Sequence, residues 1–142
     1  MIRIREMPDT PAGQPAFFVG WWEAVFFIRD GEQADVTGMI EHIDAAGTFT
    51  VFRDGERIGA GQHVEFTVDP DGFTNVPEVA WAHAQTGREL AVYRISGDVF
   101  EVCKASEHVG RPTSFASPRG SGWTHAAIRR LSDDDPRIPA ER

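Results

Sequence analysis

Short runs of alternating apolar and polar residues cover most of this chain, and turn residues punctuate them at intervals of about 8–12 positions. Phe17 to Ile28 is strongly apolar and stops at Asp30-Gly31, a hairpin dipeptide. Met39 to Asp44 follows and turns at Ala46-Gly47. Thr48 to Arg53 stops at Asp54-Gly55. In His63 to Val68, Val64, Phe66 and Val68 share one face, and His63, Glu65 and Thr67 share the other. Phe73 to His83 contains Pro77, which lacks a backbone donor and marks an edge or bulged strand. Glu89 to Ile95 and Val99 to Lys104 flank Ser96-Gly97-Asp98, and Trp123 to Leu131 closes the series. No segment sustains a long helical period; Gly31 to Val36 is the one short helical candidate.

This pattern predicts an all-β fold, an antiparallel up-and-down barrel of about eight strands. Such a barrel has room for its own side chains or for one small ligand. Residues 1–16, with Pro8, Pro11, Gly13 and Pro15, read as a flexible N-terminal arm, and 17–131 as the barrel. Residues 132–142 read as a flexible acidic tail, with Asp133, Asp134 and Asp135 in succession. The Pro- and Gly-rich stretch from Ser106 to Gly122 is too long for a tight turn and is a candidate cover for a barrel mouth.

Composition narrows the function. The chain has 142 residues, 41% of them hydrophobic, enough for one packed core. Its net charge of −8 argues against a nucleic-acid partner. The N-terminal stretch lacks the apolar centre of a secretory leader, and no run approaches the roughly 20 residues of a membrane span. A soluble cytoplasmic protein with no membrane partner is expected. Cys103 is the only cysteine, so no internal disulfide is possible. The histidines His42, His63, His83, His108 and His125 lack metal-ligand spacing, and no metal or cofactor is expected.

Several motifs together resemble a known family. Gly20-x-Trp22-Glu23, Arg29-Asp30-Gly31 and Asp54-Gly55 are followed by Tyr93, Gly97-Asp98 and Cys103. Then come Arg111-Pro112-Thr113-Ser114-Phe115-Ala116-Ser117, Gly120-Ser121-Gly122 and Arg130. The order is similar to a lipocalin-like domain family of planctomycetes and actinobacteria. The resemblance covers roughly residues 18–131, and the Arg111–Ser117 segment is its most specific part. It implies a lipocalin-type barrel in which Trp22 and Arg130 form the floor, the indole beneath the guanidinium. It carries no catalytic residues. The chain departs from the pattern around Pro77 to His83, where Trp81 and His83 stand.

Alternation puts Trp22, Ala24, Phe26 and Ile28 on one face of the first strand. Trp21, Glu23 and Arg29 fall on the other, toward solvent, where Val25 and Phe27 leave a patch suited to a homodimer contact. The expected lining of the lumen is Phe26, Phe52, Phe66, Trp81, Tyr93, Phe100, Trp123 and His125. Ala91, Tyr93 and Ile95 share one face, and Leu90, Val92 and Arg94 the other, so either Tyr93 or Arg94 points inward. An inward Tyr93 is a polar anchor for a ligand oxygen.

The expected function is binding of a small, largely apolar organic molecule in the lumen. A cofactor-independent cyclase or isomerase of polyketide- or terpenoid-like substrates is the alternative, with Tyr93, His83 and His42 polarising a carbonyl or moving a proton. A second alternative is a barrel plugged by its own aromatic side chains and used as a protein-interaction module. Cys103 lies mid-strand and reads as a small buried residue rather than a nucleophile.

Overall fold

The computed structural model of the chain describes residues 16–69, 72–79 and 88–139, with 62–69 and 73–79 described by their backbone. A 3-10 turn, Ala16–Phe18, precedes nine strands. These are β1 (Gly20–Arg29), β2 (Glu32–Gln33), β3 (Met39–Ile43), β4 (Thr48–Arg53) and β5 (Glu56–Asp69). They continue as β6 (Gly72–Val79), β7 (Glu89–Ser96), β8 (Val99–Ser106) and β9 (Thr124–Arg130). The protein is all-β, with one antiparallel sheet in up-and-down order. From β3 onward each strand pairs with the next, and β1 pairs with both β3 and β9. The pairings therefore run in a ring of eight strands, with β2 a two-residue ribbon on β1. Among the described residues no helix is long and apolar enough to cross a membrane.

The hairpins follow from local chemistry. Asp30 and Gly31 have φ of 51° and 82°, and Asp54 and Gly55 have 52° and 85°. Left-handed backbone at both central positions gives the type I′ twist that antiparallel strands require, and Asp-Gly adopts it at little steric cost. No helix forms at Gly31 to Val36, because Glu32–Gln33 returns along β1 instead.

Directly paired residues of neighbouring strands share a face. One buried cluster joins Phe18 to Trp22 of β1, Ile43 of β3, Ala91 of β7 and Phe100 of β8, with Phe17, Phe49, Tyr93, Ile95, Val102 and Ile128 packed against it. These strands are distributed round the ring, so this is its inner face. A second cluster, Trp21, Ile40, Phe52 and Leu131, lies on the outer face, and Ile138 packs on it. Trp21 is therefore buried, not solvent-facing. The segment from Ser132, read above as a loose tail, turns back as far as it is described. Arg137 Nη1 meets Glu23 Oε2 at 2.5 Å beside the Ile138 contact.

The structure corrects two readings of register. β5 begins at Glu56, well before His63; the charged pair Glu56-Arg57 and the glycines Gly59 and Gly61 hide its alternation in the sequence. In β1 the pairing with β9 shifts between Ala24 and Phe26. Ala24 pairs with inward Ile128, whereas Phe26 pairs with Ala127 and Ile28 with His125, on the outer face. The bulge adds one residue, Val25, and so reverses every later side chain of the strand.

The long connection between β8 and β9 is a strap over the outer face of β7 to β9, not a cover for a mouth. Arg111 Nη1 donates to the Ala91 carbonyl at 2.5 Å, and Pro112 is fully buried. Cys103 Sγ donates to the Ala116 carbonyl at 3.1 Å. Ser117 Oγ donates to the Trp123 carbonyl at 2.7 Å and accepts from Gly31 N–H at 3.1 Å. Cys103, Ala105 and Ala127 are buried beneath it.

Candidate functional site

One end of the inner face is built by Gly20, Trp22 and Arg130. Trp22 and Arg130 are register partners. The Arg130 guanidinium lies 4.0 Å from the Trp22 ring centroid, a cation–π arrangement. It donates to the carbonyls of Val19, at 2.8 Å, and of Phe17. Trp22 Nε1 donates to the Phe18 carbonyl at 3.0 Å. These bonds pin the 3-10 turn across the end of the ring. Gly20 has φ of 133°, and a Cβ there would stand 2.8 Å from Arg130 Nη1. The glycine two residues before Trp22 is thus required both by its backbone and by the approach of the guanidinium. Desolvation pushes the Arg130 pKa below its usual value.

Apolar side chains form the walls above this end. Tyr93 stacks on Phe100 with ring centroids 5.7 Å apart, and Phe18 meets Phe100 edge-on at 5.0 Å. Val102, Ile95, Ile128 and Phe49 continue the surface. Tyr93 is the inward residue of its pair; Arg94 is exposed and bound to Glu101 on the outer face.

Besides Arg130, three ionisable groups enter this apolar surface away from its closed end. Glu41 is the β3 partner of Trp22 and shares its face. Lys104 is the β8 partner of buried Ala91 and of Thr124. Its ammonium lies 3.4 Å from Glu89 Oε1, a buried oxygen that accepts no hydrogen bond. Burial lifts the Glu41 pKa to about 7, and the positive charge of Lys104 opposes that rise. β3 and β8 are separated by β1 and β9 in the ring, so the charge of Lys104 acts on Glu41 across the inner face and not through a contact. A carboxyl held near neutrality in an apolar enclosure can accept a proton, donate one or pair with a cation.

The residues expected from the sequence separate onto two faces. Trp22, Tyr93, Phe100 and Arg130 are inward. Phe52 is outward in the Trp21 cluster, and His42 is outward with its ring 4.6 Å from that of Trp21. Phe26 and His125 are outward and meet at 4.7 Å. His42 and Tyr93 therefore stand on opposite faces of the sheet and cannot act on one substrate. Trp123 ends the strap, and its carbonyl ties Ser117 and Asp30. Phe66 lies in β5 opposite Asn75. Trp81 and His83 lie outside the described residues. Glu41, Lys104, Glu89 and inward Phe49 were missed. Each polar member sits in a strand of mixed character where alternation alone reads as solvent-facing.

The outer face holds its own network. Glu101 Oε2 and His125 Nε2 are 2.5 Å apart, and Arg94 donates to both Glu101 oxygens. The Arg94 hydrogen bonds, followed by that from His125, pull the Glu101 pKa below the usual carboxylate range. Arg94 also lies 4.2 Å over the Phe115 ring. His125 stands directly across from Cys103, yet the thiol is fully buried, committed to Ala116, and raised in pKa by burial. That environment suppresses a thiolate, and the arrangement fastens the strap. Among the described residues no group of three His, Cys, Asp or Glu could hold a metal.

Two clefts open to solvent, the larger at the rim where the bulge turns Phe27 and Arg29 to the inner face and away from the outer patch expected of Phe27. One of 540 Å³ is lined by Phe27, Arg29, the β1–β2 hairpin and Arg119; one of 240 Å³ sits beside the Val25 bulge under Arg137. The chain is thus a one-sheet antiparallel β protein with an apolar inner face and a small group of charges set into it. No family model, curated protein or solved structure matches it.

Proposed function

We propose that the ring of strands is a lipocalin-like barrel that binds a small, largely apolar organic molecule against its inner face. The observation that carries this reading is the placing of Glu41, Lys104 and Glu89 on an otherwise apolar inner face. Burying a charge costs several kcal/mol, and hydrophobic residues of similar volume would fill the same space at less cost. Apolar walls with a few convergent polar groups are the usual composition of a ligand pocket.

The test is titration with N-phenyl-1-naphthylamine, a neutral probe whose emission rises and shifts to the blue in apolar surroundings. Saturable one-site enhancement is expected. The Val102→Trp substitution, which adds bulk to the inner face, is expected to weaken it by about tenfold or more. Absence of saturable binding to the wild-type protein overturns the reading and favours an interior plugged by its own aromatic residues.

The Glu41 pKa near 7 supports a second reading, a cofactor-independent isomerase or cyclase with Glu41, in place of His42, as the acid and base. Turnover of the bound molecule, followed by its absorbance, separates this from simple binding.

A further inference from the structure

We infer that the guest carries an anionic oxyacid head, which Arg29 and Arg119 clamp at the rim opposite Trp22 and Arg130 while its apolar body lies on the inner face. The inference rests on the binding reading above and adds the chemical class of the ligand and the end at which its head sits.

Two successive rows of the inner face set the direction of the guest. Arg29, Thr124 and Lys104 are register partners across β1, β9 and β8, so two cations flank one hydroxyl. Thr124 is buried, and its hydroxyl makes no hydrogen bond among the described residues. The next row, on the Trp22 side, is Phe27, Ala126, Val102 and Tyr93, each of them half-buried. The face therefore changes from polar to aromatic and aliphatic within two residues, about 7 Å of strand. A guest lying along the strands meets polar groups at the rim and apolar walls below it.

The strap completes the head end. Ser117 Oγ accepts from Gly31 N–H at 3.1 Å, Asp30 N–H donates to the Trp123 carbonyl at 3.0 Å, and Gly122 N–H donates to Asp30 Oδ1 at 2.8 Å. Between these ties the Arg119 backbone lies against Gly31, where a Cβ would stand 2.9 Å from Arg119 Cα. Arg119 and Arg29 thereby line one cleft of 540 Å³, with Phe27 in its wall. Neither guanidinium has a hydrogen-bond or ion-pair partner among the described residues. Two carboxylates share the cleft. Asp30 is taken up by Gly122, and Glu32, the exposed register partner of Arg29, forms no ion pair with it. Lys104 is held by Glu89 at 3.4 Å. Two open guanidinium groups thus share the rim with an unbonded hydroxyl, and their forked N–H groups match the paired oxygens of a carboxylate or a sulfate ester. The net charge of −8 repels anions at a distance, so a preference for an anionic head is a signature of this site and not of the general field.

The experiment is calorimetric titration of the wild-type protein at pH 8 with decanoate, decyl sulfate and decanol, all below their micellar range. The three share one apolar body, and both acids are ionised at that pH. Each anion is expected to bind about tenfold tighter than decanol. An advantage for one anion alone supports the clamp and names its oxyacid. In Arg29→Gln and in Arg119→Gln the anion affinity is expected to fall about fivefold while decanol affinity holds, and the double variant is expected to lose the preference. Arg57→Gln removes the same charge from the exposed outer face and is expected to leave both affinities unchanged. Decanol equal to or tighter than both anions in the wild type overturns the clamp and leaves apolar binding standing. An anion preference that persists in the double variant, or that falls equally in Arg57→Gln, overturns the assignment to Arg29 and Arg119. Failure of all three to bind overturns the binding reading itself.

Discussion

The Glu41→Gln variant is expected to be more stable than the wild type by about 3 kcal/mol at pH 8, and about equally stable at pH 4. The sign follows from the direction of the shift. Burial raises the Glu41 pKa from the ordinary 4.5 to about 7 in the folded chain. Below the unfolded value the carboxyl is protonated in both states, and its contribution to stability is fully present. Between that value and about 7 the unfolded chain ionises while the folded chain does not, so stability falls as pH rises. Above the folded value the full penalty applies. Glutamine is neutral throughout and nearly the same shape. Urea unfolding of both proteins at the two pH values gives the difference. Curves that keep the same spacing at pH 4 and pH 8 would show that Glu41 is solvated, and the interior polar centre would have to be abandoned. The penalty is consistent with a residue retained for the chemistry it offers rather than for the fold.

Trp22→Ala is expected to cost about 3–5 kcal/mol, enough to bring a domain of ordinary stability close to unfolding. Trp22 is 1% exposed and touches three kinds of neighbour: the apolar cluster, the Arg130 guanidinium and the Phe18 carbonyl. Removing the indole leaves a large cavity, frees the 3-10 turn and deprives Arg130 of the ring beneath it. Trp22→Phe keeps the volume in part but loses the hydrogen bond to Phe18, and a smaller cost is expected. Chemical denaturation measures both. A cost under about 1 kcal/mol for the alanine variant would mean that this end of the ring can collapse, and that the Trp22–Arg130 pair does not organise the sheet.

Strand number, order and hairpin positions were legible in the sequence because Asp30-Gly31 and Asp54-Gly55 force left-handed turns between alternating runs. The orientation of Trp22 followed from the same alternation. Legibility ended where one extra residue entered a strand. The shift at Val25 moved Phe26 to the outer face, and nothing in Ala24-Val25-Phe26-Phe27 marks a bulge, since each residue suits either face. His42 and Phe52 were misplaced for a different reason. The outer face of β3 and β4 is itself apolar, covered by Leu131 and Ile138, so hydrophobicity alone could not distinguish it from the inner face. Glu41 was hidden by the opposite error: a carboxylate between Ile40 and His42 reads as solvated, and only its pairing with Trp22 places it on the inner face, where it is half-buried. The Arg111–Ser117 segment was recognisable as a motif, but its place on the outer face depended on Cys103, Ala105 and Ala127 being outward.

The central claim is that the inner face receives a guest. Nuclear Overhauser contacts between bound N-phenyl-1-naphthylamine and the protein test it most directly. Contacts to Tyr93, Val102 and Ile128 are expected, with none to Phe26, Phe52 or His42. Contacts confined to the Val25 bulge and the loop at Val36, on the outside of the sheet, would contradict it.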